Sequence, residues 1–238
     1  MTAPVTFLCC VNRPDVARSC LLASPCLAPG TGHQLLIVQG MRSAGEGFAW
    51  ALQLARHPWI VMVHQDVFLP PGWDGQFDAG VSAALRTFPR VAVAGVYGVR
   101  ADGEHVGLVY DRDRWLGRAP AQPQPVRSMD ELLLAVRRDR GLRVEPDLGW
   151  HLYGTDLCLQ AEATGQDAVV IAAACEHRST LPRSMPAAGQ PASSALRAQI
   201  AAFNGSSRRL ASKWPSAMPV VTAVTVIDHG RALSESGG

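Results

Sequence analysis

The chain has 238 residues, 47% of them hydrophobic, and its 22 Lys and Arg against 20 Asp and Glu leave a formal net charge of +2. That length suits one domain with ample core, and so slight and mixed a charge gives no electrostatic basis for binding nucleic acid or an acidic membrane surface. The six cysteines, Cys9, Cys10, Cys20, Cys26, Cys158 and Cys175, include no Cys-x-x-Cys pair and lie in apolar settings, which points to buried free thiols rather than a zinc site.

Met1 to Cys10 carries neither the basic region nor the long apolar segment of a signal peptide, and no apolar run is long enough to span a bilayer. The expectation is a cytoplasmic protein without a membrane span. Val5 to Val11 reads as a buried strand that breaks at Asn12-Arg13-Pro14-Asp15, where a helix can begin: proline is tolerated in a first helical turn and Asp15 suits the positive helix end. Gln34 to Gln39 is a further strand, followed by a polar turn from Gly40 to Ser43. Gly45 to Arg56 then reads as a helix with Phe48, Leu52 and Ala55 on one face.

Trp59 to Val63 is a short unbroken apolar run, the pattern of a strand buried on both faces of a parallel sheet. It ends in His64-Gln65-Asp66. On an extended chain His64 and Asp66 point to one side and Gln65 to the other, so two metal-capable groups meet at a strand end, where open α/β sheets bind ligands. Pro70-Pro71-Gly72 turns the chain. Phe77 to Phe88 looks helical, and Val91 to Val99 reads as one strand with small residues where a backbone or ligand approaches closely. This alternation predicts an α/β fold, a mostly parallel sheet with crossover helices.

From Arg100 to Val126 the pattern weakens into a mobile loop or a short hairpin excursion, with Pro120 to Pro125 as a structureless centre. Asp130 to Arg138 fits a strand or a helix, and periodicity alone does not decide. Asp147 to Asp156 is an aromatic-rich polar segment opening a helix over Asp156 to Thr164, which Gly165 ends. Ala168 to Ala174 is a strand that delivers Glu176-His177-Arg178-Ser179. From Pro182 a Pro/Ser/Ala-rich connector leads to a helix around Ala195 to Phe203, then Lys213-Trp214-Pro215 and a β-branched run from Val220 to Ile227.

Together, Val61 to Pro70, Cys10-Val11-Asn12, Gly149 to Tyr153 with Asp156 to Leu159, and the late His177 resemble the glycosyltransferase-like family typified by the streptomycin-biosynthesis StrF domain, a branch of the family 2 glycosyltransferases. The resemblance covers roughly Phe7 to Ser179. It implies a GT-A (Rossmann-like) fold, a mostly parallel sheet flanked by helices, with residues 1–181 as the GT-A glycosyltransferase-like domain and 182–238 as a C-terminal extension packing on or near the active site. In that family a strand-end Asp-x-Asp motif holds a divalent metal on the diphosphate of a nucleotide-sugar donor. Here His64-Gln65-Asp66 occupies its place.

The resemblance makes Asp66 the direct metal ligand, sets His64 toward the ribose, the diphosphate or the metal, and offers His177 as a second protein ligand. A hard cation, Mn2+ or Mg2+, suits carboxylate and diphosphate oxygen and tolerates imidazole. Val11, Asn12, Arg13, Gln39, His64, Gln65 and Lys213 are the expected donor-nucleotide contacts. Asp156 is the expected general base for the acceptor hydroxyl, with Asp147 and His151 next. Each has a plainer alternative: a helix cap for Asp156 or Asn12, a hydrogen-bonded strand end for His177, and core packing for Trp150 and Tyr153, which could instead stack on a sugar. Gln39-Gly40 stands where many relatives have an acid, Ala49-Trp50 lacks the usual Asn, and Gly154 replaces an acid. The implied activity is metal-dependent transfer of a sugar from a nucleoside diphosphate sugar to a hydroxyl acceptor (a glycan, lipid-linked sugar or small metabolite), with inversion; the alternative is a non-catalytic nucleotide-sugar or carbohydrate-binding module.

Overall fold

A computed structural model of the chain describes residues 2–179 and 193–229. Strands and helices alternate through its first half: β1 (Thr6–Cys10), α1 (Pro14–Ser19), β2 (Gln34–Val38), α2 (Ala44–Leu54), β3 (Trp59–Val63), β4 (Val67–Phe68), α3 (Trp73–Thr87), β5 (Val91–Gly95) and β6 (Tyr97–Val99). There follow β7 (His105–Asp111), β8 (Arg114–Arg118), β9 (Gln124–Pro125), β10 (Ser128–Met129), β11 (Leu133–Arg137), α4 (Tyr153–Ala163), β12 (Asp167–Val170) and β13 (Cys175–His177). From residue 193 on come α5 (Ser194–Lys213), β14 (Val220–Val221) and β15 (Val226–Ile227).

The central sheet runs β2-β1-β3-β11-β5-β12-β9. β1 is parallel to β2 and β3, and β12 to β5, while β11 runs antiparallel between β3 and β5. All five β3 residues are buried, because helices cover both faces. Trp59, Val61 and Val63 pack with Phe7, Trp73 and Phe77 on one side; Ile60 and Met62 pack with Leu8, Phe48 and Leu157 on the other. A strand so enclosed must be apolar at every position, and each large side chain it buries contributes roughly 1.5–3 kcal/mol. The same logic settles the ambiguous segment before Arg138. Leu133 and Ala135 join one core and Leu134 and Val136 the other, so it is a strand.

A second sheet, β10-β6-β7-β13-β4 with β8 on β7, stands beside the first. Val91 to Val99 is therefore two strands rather than one, the chain passing from the first sheet to the second at Val96. The small residues have the expected cause: a Cβ on Gly98 would lie 2.5 Å from the Ser128 carbonyl oxygen. Of the two readings for residues 100–126 the hairpin holds, as β7 and β8 pair antiparallel with Asp111 opposite Arg114. The supposedly structureless Pro-rich stretch contributes β9, paired with β12.

α4 begins three residues before Asp156, its first turn preceded by Leu152 in the left-handed region at φ 63°. α5 extends well past Phe203, and Phe203, Leu210, Val220 and Ile227 enter the core that holds Phe48 and Leu157. The 181/182 boundary and the Pro/Ser/Ala-rich connector lie outside the described residues. The six cysteines are unpaired, all buried except the half-buried Cys10. No described helix is long and apolar enough to cross a membrane.

Candidate active site at the end of the central strand

β3 hands its last backbone bond to β11, His64 N donating to Leu132 O at 2.9 Å, and the chain then turns, Val67 N bonding His64 O at 3.2 Å. The residues expected to be extended thus lie in a tight turn. His64 and Asp66 still share a side. β13 pairs antiparallel with β4, His177 opposite Val67, which delivers the late histidine to the same place. One ligand atom each from His64, Asp66 and His177 lie within 4.8 Å of one another. His177 Nε2 is 3.5 Å from Asp66 Oδ2 and its Nδ1 is 3.0 Å from Asp111 Oδ1.

The electrostatics follow from burial and proximity. Burial, and then the charge of His177, outweigh the pull of Asp66 and hold His64 below the ordinary imidazole value, so it favours the neutral form that can donate a lone pair. Burial alone would raise the Asp66 carboxyl, yet the hydrogen bond and charge of His177, with the charge of His64, leave it lowered and ionised. Burial opposes charge on His177 too, but the Asp66 hydrogen bond and the charges of Asp66, Asp130 and Asp111 raise it.

Gln65 points elsewhere. Its Oε1 accepts from Asn12 N at 3.2 Å and Arg13 N at 2.9 Å, and its Nε2 donates to Asn12 Oδ1. The amides of Gln65 and Asn12 thereby fasten the β1–α1 turn to the β3–β4 turn. Val11 is buried, Arg13 is exposed and paired with Asp15 at 2.8 Å, and Gln39 is exposed just past β2. β2, β1 and β3 are neighbours, so these residues line one edge of the sheet beside the histidine–aspartate cluster.

Asp156 has a different occupation. It is fully buried in α4, with Trp214 Nε1 donating to Oδ1 at 2.7 Å, Gln160 Nε2 to Oδ2 at 2.7 Å and Lys213 Nζ to Oδ2 at 3.0 Å. It caps nothing, since Leu152 holds the cap position. Lys213 also reaches Glu145 at 3.3 Å, so its ammonium is engaged between two acids. Asp147 is exposed and paired with Arg209 at 3.0 Å. His151 rests its ring on Phe203 at 5.7 Å; burial, and next the charge of His64, lower its value. Tyr153 is core, its hydroxyl donating to Glu131 O at 3.2 Å, whereas Trp150 is 43% exposed.

No family model matches the chain. A curated protein of Fuscovulum blasticum, "ATP synthase subunits region ORF 6", is 33% identical over 138 residues, 52% of this chain and 54% of that one, so the chain spans about half the length of this relative. Among solved structures, GalNAc-T7 with UDP, GalNAc and Mn2+ superposes at a TM-score of 0.51 and 10% identity over 74% of this chain and 44% of that one. The mannosyltransferase PcManGT of Pyrobaculum calidifontis, in complex with GDP-Man and Mn2+, gives 0.50 at 12% identity over 77% and 60%.

The fold is GT-A. Both neighbours are glycosyltransferases of that fold, and at these identities the likeness concerns the fold alone. Two acids escaped the sequence reading. Asp111 ends β7 and bonds His177. Glu131 lies between β10 and β11, and its Oε1 accepts from Gly154 N at 3.2 Å. Desolvation first, then the charge of Asp130, push the Glu131 carboxyl up to about 8. The signal available for Glu131 is Gly154 itself, because a Cβ there would run into the Met129 carbonyl and leave no room for a side chain.

Proposed function

We propose that the chain is a metal-dependent glycosyltransferase of the StrF type, transferring a sugar from a nucleoside diphosphate donor to an acceptor hydroxyl with inversion. The observation that carries this reading is that His177, far along the chain, converges on His64 and Asp66 beyond the carboxyl end of the central strand of a GT-A sheet. A carboxylate with two imidazoles fits Mn2+ better than Mg2+, which prefers an all-oxygen octahedron. Such a cation, when bound, neutralises charge developing on a departing diphosphate.

The chain's own residues supply the rest. Asp66 and the neutral His64 present donor atoms, and the edge formed by Val11, Asn12, Arg13 and Gln39 faces the nucleotide, with Gln65 bracing it from behind. The acceptor proton needs a carboxylate that is not held in an ion pair. Asp156 would have to release Trp214, Lys213 and Gln160 to serve, Asp147 lies out with Arg209, and His151 is held against Phe203. Glu131 is a further candidate for the base: no salt bridge reaches it among the described residues, its Oε1 accepts from Gly154 N, and burial raises its carboxyl. Lys213 keeps a supporting role through Asp156.

The test is a thermal-shift screen of UDP, GDP, dTDP and their sugars with and without Mn2+, followed by transfer assays with the stabilising donor. A correct ligand at ~1,000 times its dissociation constant stabilises by about 4 kcal/mol. Mn2+-dependent stabilisation by one nucleotide family, and release of its diphosphate on transfer, is the expected result. Binding without turnover would replace the enzyme by a nucleotide-sugar-binding module, and no binding by any of them would remove both.

A further inference from the structure

Resting on the reading of His64, Asp66 and His177 as a metal centre, we propose that Asp111 is a positioning residue for His177: it fixes the tautomer and the plane of the imidazole so that Nε2 faces Asp66. The geometry is specific. β7 and β13 run parallel with Asp111 directly opposite His177, so both side chains leave the same face of the second sheet. Asp111 is only 7% exposed and its Oδ1 lies 3.0 Å from His177 Nδ1. Both ring nitrogens face carboxylates, but the Asp111 contact is the shorter, 3.0 Å against 3.5 Å from Nε2 to Asp66 Oδ2, so we place the proton of the neutral ring on Nδ1 and the lone pair on Nε2. An outer carboxylate of this kind commonly orients a ligating histidine and raises its basicity.

The hairpin that carries Asp111 is shaped for the task. Immediately after it the chain reverses through Arg112 at φ 61°, with Asp113 N bonded to Asp111 O at 2.7 Å, a three-residue turn that a non-glycine residue adopts only at a cost. The reversal aims Arg112 N at His177 O, 2.9 Å away, and brings Arg112 Nε to 3.7 Å from Asp111 Oδ1. Backbone and side chain of the turn thus hold His177 at two points, its carbonyl and its Nδ1. Strain of this sort persists where the surroundings dictate it, and here they are the histidine of the candidate centre.

Two readouts on the full chain test the proposal. The first is the 15N shift of the His177 ring in metal-free protein, at a pH where it is neutral. Wild type is expected to show the Nδ1–H tautomer, Asp111→Asn to keep it because its amide oxygen still accepts, and Asp111→Ala to lose it. The second is the Mn2+ dissociation constant, read from the electron paramagnetic resonance signal of the free ion. Asp111→Ala is expected to weaken binding ~10- to 100-fold and Asp111→Asn by a smaller factor. In a His177→Ala background Asp111→Ala should add nothing, since the effect passes through the ring. An unchanged tautomer in Asp111→Ala, or equal losses of Mn2+ affinity with and without His177, overturns the proposal. Should Asp111→Ala not fold, Asp111→Asn decides: Mn2+ affinity and tautomer both identical to wild type at every pH would overturn it. If wild type binds no Mn2+, the metal reading falls by itself, and the tautomer alone then upholds or refutes the hold of Asp111 on His177.

Discussion

Asp156→Ala separates a structural carboxylate from a reacting one. In the wild type Asp156 is fully buried and collects donors from Trp214, Lys213 and Gln160. Lys213 has a side chain 30% exposed and a second partner in Glu145, so it can turn toward water and its share is discounted. Gln160 retains its bond to Arg143 O at 2.7 Å. The indole N–H of half-buried Trp214 bonds Asp156 at 2.7 Å, and removing one partner of a buried charged network costs ~3–5 kcal/mol. We therefore expect Asp156→Ala to lose about 3 kcal/mol or more, against ~1 kcal/mol for a helix cap. For a chain of this length that is a fall in Tm of about 6 °C or more. Asp156→Asn keeps an acceptor for Trp214 but loses the charge facing Lys213, and should fall between that variant and wild type. Calorimetry, with urea unfolding as a second measure, reads both. A drop below about 2 °C for Asp156→Ala would show that the carboxylate does not latch α5 to α4, and would return it to candidacy as the base.

Asp66→Asn should abolish detectable Mn2+ binding by calorimetric titration while moving Tm little, since the charge sits in a turn at a strand end; unchanged affinity would end its assignment as ligand. Mn2+ affinity should rise about tenfold per pH unit below the raised value of His177, because the ion displaces one proton there, and then level off; His64, already biased to neutral, adds no second proton. An affinity flat with pH would contradict this. Metal-free protein responds in the opposite sense: a raised folded value means that the contacts of His177 with Asp66 and Asp111 stabilise fully below about pH 6.5 and are lost as pH rises through the folded value, and unfolding free energy flat across that window would refute it. Glu131→Gln should leave Mn2+ and donor binding near wild type but cut transfer about a hundredfold or more, and wild-type transfer should climb with pH toward about 8. Full activity in that variant would pass the base role to His151 or Asp147.

The strands of the first sheet were legible because helices cover both its faces, a condition that writes itself into the sequence as continuous apolar runs such as Trp59 to Val63. Asp130 to Arg138 resisted because a buried strand of this length and one side of a helix can share a composition. Asp111 was invisible for a different reason. β8 is largely exposed and Asp111 stands at the end of β7 beside the turn, so it looks like a loop residue, and only pairing with β13, more than sixty residues on, gives that carboxylate a meaning. The same distance in sequence hides the bond between Asp156 and Trp214. Helix starts were misjudged where a left-handed residue, Leu152, stands in for the usual polar cap.

The turn that carries His64 and Asp66 and the strand that carries His177 are sewn to their neighbours by main-chain bonds, and this bears on how the proposed centre would fill. His64 N is held by Leu132 O, Arg178 N by Asp66 O at 2.8 Å, and Arg112 N by His177 O. Each stitch joins the segment of one candidate ligand to a different strand or turn, so the spacing between donor atoms is a property of the two sheets and does not wait for an ion to gather loose loops. Occupancy then demands little ordering of the chain, and the entropy that a disordered site would surrender on binding has been spent during folding. On the proposed reading, a cation of the wrong radius would meet a frame already tied to two sheets, which would make discrimination among metals a matter of the sheets' geometry as well as of donor chemistry.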